Sequence, residues 1–208
     1  KKLSRFSIPH LMEIVIAGMA VVYLVNYIYP QLGLTSWMRL SWPLVLRGQV
    51  WRLVTFAFLP PQTSMLFVLF TLYFYWMVGS GLSAQWGQAK LTRFYLTGIV
   101  GTWLAALITG SADNTWLNLS LFLAFASVYP NFELMLFFFL PVKVKYLALL
   151  DVALYVWQMI VGTWSVRAAI LVALLNVILF LGGDLLRNVK NDSQYWKTRS
   201  NFRKATKR

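Results

Sequence analysis

Apolar residues in this chain gather into long runs broken by Pro, Gly and small polar clusters, not into the stepped pattern of a helix with one wet face. A membrane span needs about 20 mostly apolar residues, and the runs predict six helices. The first covers about residues 9–29, with Pro9 tolerated in its opening turn, where the N–H would be unpaired anyway, and Pro30 closing it. Residues 30–62 form a long first loop punctuated by Pro43, Pro60 and Pro61. The second span is predicted over about 64–82, with Gly79, Gly81 and Gly87 marking its end and the turn that follows. The third runs over about 90–109, with Gly98 and Gly101 at close-packing positions, and Gly110 to Asn114 make a polar turn.

The fourth predicted helix, over about 116–129, is short. At 1.5 Å per residue it covers about 21 Å, less than the hydrocarbon thickness of a bilayer. It also carries Asn118, Ser120 and Ser127. A short polar helix belongs inside the bundle, where neighbours satisfy it. Pro130-Asn131 ends it, and residues 134–140 read as an interfacial segment stopped by Pro141. The fifth and sixth spans are predicted over about 145–161 and 166–185, followed by a basic tail. The fold class is therefore an all-α polytopic membrane protein: a six-helix membrane domain over 1–186 and a basic cytoplasmic tail over 187–208.

Composition and charge support this. Of the 208 residues 59% are hydrophobic, and the mean hydropathy is +0.63. There is no cysteine, which removes disulfides, thiolate metal sites and Cys nucleophiles. No cleavable signal peptide is expected, because the first apolar run is too long and lacks a small-residue cleavage site. The net charge of +13 invites a nucleic-acid reading, but its placement follows membrane topology. All but four of the 19 basic residues flank one side of the predicted bundle; Arg39, Arg47, Arg52 and Arg167 take the other. The positive-inside rule puts both termini in the cytoplasm, which an even number of spans requires. A bacterial plasma membrane is the expected location, since the tail shows no obvious eukaryotic adaptor motif; with Tyr195, Trp196 and Phe202 among its cations the tail also suits anionic lipid.

Within the first loop, Trp51 and Arg52 sit among apolar residues and suit the headgroup layer. The indole is amphipathic, and the guanidinium carries five donors for backbone carbonyls folded at membrane depth. Taken alone, the pair reads as an interfacial anchor. The context is wider. Gly48-Gln49-Val50-Trp51-Arg52-Leu53-Val54-Thr55, Gly79-Ser80-Gly81-Leu82 with Trp86-Gly87, Phe94-Tyr95-Leu96, and Tyr129-Pro130-Asn131 with Leu140-Pro141-Val142-Lys143 together resemble the rhomboid superfamily in order and spacing over most of residues 10–185.

That resemblance implies a six-helix rhomboid-like bundle with a long interfacial first loop and a short central fourth helix. Proteases of the family use a Ser in Gly-x-Ser-Gly at the start of helix 4 and a His in helix 6. No Gly-x-Ser-Gly occurs here; the matching nucleophile position is Thr115, and the helix-2 pair that binds the oxyanion becomes Phe67 and Thr71. Ser83 stands where a Glu is usual and Pro60 where a His often follows. The only histidine, His10, lies at the start of the first span. A hydroxyl is a poor nucleophile without a base in reach, so no catalytic residue is assigned. No cofactor or metal is expected either: His10 reads as an interfacial cap and Glu13 as a group reaching the headgroups.

Of the remaining polar residues, Asp151 is the most informative, since an ionisable group in a span faces the bundle or water. Asn118, Ser120, Asp151 and Asn176 are candidates for one intramembrane groove, against the plainer reading of each as packing glue. Asp184 reads as solvent-facing. The function implied is that of a catalytically inactive, derlin-like pseudoprotease in membrane protein quality control or trafficking. Its partners are the bilayer, transmembrane or misfolded clients, and a membrane protease or ATPase; nucleic acid is not expected. Two alternatives stand beside it: an active intramembrane protease built around Thr115 or Ser120, and a small channel or transporter built on the polar fourth to sixth helices.

Overall fold

Residues 7–136 and 140–182 are described by a computed structural model. The predicted end of the last span, Asp184 and the basic tail lie outside them, as do Lys1, Lys2 and Arg5. Among the described residues five helices are long and apolar enough to cross a membrane: α1 (Leu11–Ile28), α5 (Met65–Trp86), α6 (Gln88–Thr109), α8 (Val144–Val161) and α9 (Trp164–Gly182). A sixth, α7 (Thr115–Val128), is apolar but has 14 residues. This architecture fits an integral membrane protein.

The first loop is built from short pieces: α2 (Leu34–Met38), α3 (Trp42–Leu46), α4 (Arg52–Thr55) and single 3-10 turns at Pro30–Leu32 and Phe56–Phe58. Between α2 and α3, β1 (Leu40–Ser41) pairs antiparallel with β2 (Ser111–Ala112), which follows α6. Such pieces let a loop at the membrane edge satisfy its own backbone groups.

Two features differ from the sequence expectation. Gly79 and Gly81 do not end the second span; α5 continues to Trp86. Both glycines are contact points, where a Cβ at Gly79 would meet Met12 Cγ at 2.5 Å and one at Gly81 would meet Phe125 Cε2 at 2.7 Å. Two residues apart on a helix, they face about 200° apart, so α5 packs closely on α1 through one and on α7 through the other. The break comes at Gly87, a single residue between α5 and α6 with φ 76° and ψ 156°, a conformation open essentially to glycine alone.

The second difference lies after α7. The segment expected to be interfacial forms an antiparallel hairpin, β3 (Glu133–Leu136) with β4 (Leu140–Lys143). Seven apolar residues cannot cross a bilayer, and pairing with a second strand supplies the backbone partners that lipid cannot. Pro141 is accepted because a two-stranded hairpin leaves each strand an unpaired edge. The core lies where α5, α6 and α7 meet, with Val68, Val78, Leu82, Phe94, Tyr95, Leu121 and Phe125 buried.

Candidate functional site

The site is organised around α7, and α7 is held by the first loop. Arg52 is only 5% exposed. Its Nη1 donates to the carbonyl oxygens of Ser36 and Arg39, both at 2.7 Å, and its Nε donates to Gln49 Oε1 at 2.7 Å. One planar fork thus gathers the ends of α2 and α4. The Thr55 hydroxyl adds a bond to Met38 O at 3.2 Å, and Trp103 Nε1 of α6 donates to Leu53 O at 2.8 Å, fixing the loop to the bundle. Trp51, beside Arg52, stays exposed.

The loop is then stitched to the start of α7. Asn114, buried, donates through Nδ2 to Ala57 O (3.2 Å) and Leu59 O (2.9 Å). Asp113 Oδ1 accepts the N–H of Thr115 at 3.0 Å, and its other oxygen lies 3.6 Å from Arg39 Nη2. Trp42 N donates to Gly110 O at 2.8 Å beside the β1–β2 pair. From there α7 runs through the interior with nine of its 14 residues buried.

Two clefts flank α7 and share Tyr75, Asn118 and Leu119 as walls. The first, about 570 Å³, lies between the loop and the start of α7 and mixes polar groups (Ser36, Arg39, Gln62, Asp113, Thr115) with Leu59, Pro60 and Pro61. The second, about 310 Å³, lies between α5, α7 and α8 and is largely apolar, with Phe70, Phe74, Phe122, Leu134, Leu147 and Leu150 around Thr71 and Asp151. The Asn118 side chain faces the Tyr75 hydroxyl where the two meet.

The four residues expected to line one groove line two separate cavities. Asn118 and Asp151 share the cleft toward α5 and α8. Ser120 and Asn176 share a void of about 20 Å³ on the side of α6 and α9. The reason is helical geometry, since positions 118 and 120 point about 200° apart. In the void, Ser120 Oγ donates to Leu117 O at 2.7 Å and Asn176 Nδ2 donates to Phe94 O at 3.3 Å, while Asn176 Oδ1 has no partner among the described residues. Gly98 admits both neighbours, since a Cβ there would collide with Leu117 and stand 3.0 Å from Asn176 Nδ2.

The positions matched to a protease site are likewise dispersed. Thr115, exposed, lines the first cleft; Thr71 lines the second and donates to Phe67 O at 2.7 Å. Phe67 is 49% exposed and lines neither. Tyr75, one turn beyond Thr71 on α5, does reach α7, at Asn118. Sequence reasoning missed both Tyr75 and the clamp at Asn114. The signal for Tyr75 was its i+4 spacing from Thr71. No local pattern marks Asn114, whose partners are more than 50 residues away.

His10 pairs with Glu13 at 2.8 Å at the start of α1. Nearby, the Ile8 N–H donates to Thr92 Oγ1 at the start of α6, so His10 and Thr115 sit at opposite ends of that helix. Among the described residues no group of acidic or imidazole side chains is placed to hold a metal. No protein-family model matches the chain, and no curated protein sequence matches it.

Proposed function

We propose that this chain is a non-proteolytic, rhomboid-like membrane protein that receives transmembrane or misfolded clients in the cleft between α5, α7 and α8 and supports membrane protein quality control or trafficking. The observation that carries the reading is the pairing of a short enclosed helix with an open-walled cleft beside it. A 14-residue helix covers about 21 Å, so lipid around it thins or water enters at a modest cost per Å. A client helix bearing polar residues crosses such a region more cheaply than unperturbed bilayer. The cleft offers polar groups in Asn118, Thr71 and Asp151 on an otherwise apolar wall.

The absence of proteolysis in this reading rests on chemistry. Activation of the Thr115 hydroxyl needs a base, and the one histidine of the sequence lies a whole helix away, on Glu13. Asp113 is engaged by Arg39 and by the Thr115 backbone. Both termini lie in the cytoplasm in this reading, with Lys90, Lys143 and Lys145 at the same face, and a membrane protease or ATPase takes over the client there.

The test is a photo-crosslinking residue at position 150, on the cleft wall, compared with one at position 179, which is exposed on α9 and lines neither cleft. Membrane-protein adducts from 150 and not from 179 are expected in cells. Adducts equal at both positions, or lipid alone at both, would remove the client-binding reading. Cleavage of a membrane substrate by the purified chain, lost on Thr115→Ala, would replace it with proteolysis.

A further inference from the structure

We propose that Asp151 sets the client preference of this cleft: its carboxylate receives a Lys or Arg carried within the membrane by the client helix. The inference rests on the client-binding reading above and names the chemistry of what binds.

Three observations lead to it. Asp151 lines the cleft of about 310 Å³, whose neighbouring walls at Phe70, Phe74, Phe122 and Leu147 are apolar. Among the described residues it has no hydrogen bond and no ion pair; its one electrostatic neighbour is the Tyr155 phenol a turn away, and that hydroxyl also lacks a partner. The cations closest along the chain are engaged elsewhere. Lys143 lies 4.0 Å from Glu133, Lys145 sits over the Tyr146 ring at 5.2 Å, and Arg167, beyond the other end of α8, donates to Ile160 O.

An ionisable group at membrane depth is costly unless paired, and those that persist face the bundle interior or a cavity and find partners there. Here no partner comes from among the described residues, while the group stands on the wall of an open cleft. A cation arriving on another helix completes it. The ammonium of Lys has three donors, and Asn118 and Thr71, whose side chains carry acceptor oxygens, line the same cleft. Asp151 is seven residues into α8 from Val144, roughly 10 Å along the axis at 1.5 Å per residue. The preferred basic residue therefore sits about that far from the end of α8 that carries Lys143 and Lys145.

The experiment uses the full chain reconstituted in phosphatidylcholine vesicles, with synthetic Leu/Ala transmembrane peptides followed by fluorescence energy transfer. One peptide carries a single Lys at the matching depth and the other Leu. The Lys peptide is expected to bind about tenfold more tightly. Asp151→Asn, which keeps the side-chain shape, is expected to abolish the difference, and Asp151→Lys to favour a peptide with Asp at that depth. Equal binding of the Lys and Leu peptides overturns the proposal, as does a Lys preference that survives in Asp151→Asn. Equal binding with both peptides crosslinking at position 150 removes the charge rule and leaves client binding standing; binding of neither removes both. Repeating the titration in phosphatidylethanolamine vesicles separates the sources of the cation. Loss of Lys-peptide binding there assigns the carboxylate to a lipid amine and overturns the client assignment; retention supports it.

Discussion

Two of the helices that wall the cleft, α7 and α8, are held in opposite ways. Nine of the 14 residues of α7 are buried, and its start is tied to the first loop through Asn114 and Asp113. Of the 18 residues of α8, only Val144 and Tyr155 are buried. It is fastened near its ends instead: Val144 N donates to Phe132 O (2.8 Å), Lys145 N to Pro130 O (3.1 Å), and Arg167 reaches back to Ile160 O (2.9 Å). A helix too short to match a bilayer must be enclosed by protein, whereas one of 18 mostly apolar residues can leave much of its surface to lipid. Lipid tails are as apolar as Leu, so nothing like the hydrophobic effect presses α8 onto its neighbours. Of these two walls, α7 is the rigid one and α8 the compliant one, and under the client-binding proposal a client would be accommodated by displacement of α8.

The largest test of the rigid side is Arg52→Ala. It removes three hydrogen bonds from a charged donor and strands the carbonyls of Ser36 and Arg39. Hydrogen bonds to charged groups are worth about 1.5–3 kcal/mol each, not additively, so a loss of about 4 kcal/mol is expected in reversible unfolding in mild detergent. Arg52→Lys should recover a minority of it, because an ammonium cannot reproduce the planar fork. A loss below about 1 kcal/mol would mean that the loop does not hold α7. Next in size is Phe125→Ala. Phe125 is buried against Gly81 and packs its ring at 5.2 Å from Tyr129 and 5.7 Å from Phe132. Phe→Ala in a soluble core costs about 3–5 kcal/mol; about 3 is expected here, because separated helices still bury much of their apolar surface in lipid. Asn114→Ala follows at about 2 kcal/mol, from two bonds to buried carbonyls.

Much of this contrast was legible in the sequence, for a physical reason. The five long apolar helices follow from apolar runs, and the shortness and polarity of α7 pointed to its enclosed place. Arg52 stood out because an Arg among Val, Trp, Leu and Phe has few roles besides satisfying carbonyls. What was not legible depends on direction and on distance along the chain. Asn118 and Ser120 look like one polar patch in a string of letters yet lie on opposite faces of α7. Gly79 and Gly81 look like a terminus, but a glycine can equally admit a neighbour, and only the position of Met12 and Phe125 decides between the two. The hairpin over 133–143 was hidden because a uniformly apolar run carries no alternation to mark a strand.

The smallest expected effect is the sharpest test of the compliant wall. Leu154 of α8 is exposed, whereas Leu121 of α7 is fully buried. Leu154→Ala exchanges lipid contacts for lipid contacts and should change stability by no more than about 0.5 kcal/mol, the range of surface substitutions away from special features. Leu121→Ala leaves a cavity that lipid cannot reach and should cost about 2–3 kcal/mol. The same chemical change thus separates the two walls by a factor of several, read in one unfolding assay. If Leu154→Ala costs as much as Leu121→Ala, α8 is packed against something in the membrane. A second measurement, the dependence of that cost on protein-to-lipid ratio, then distinguishes a second copy of the chain from tight intramolecular packing. A concentration-independent cost would make both walls rigid, and client entry by displacement of α8 would no longer hold.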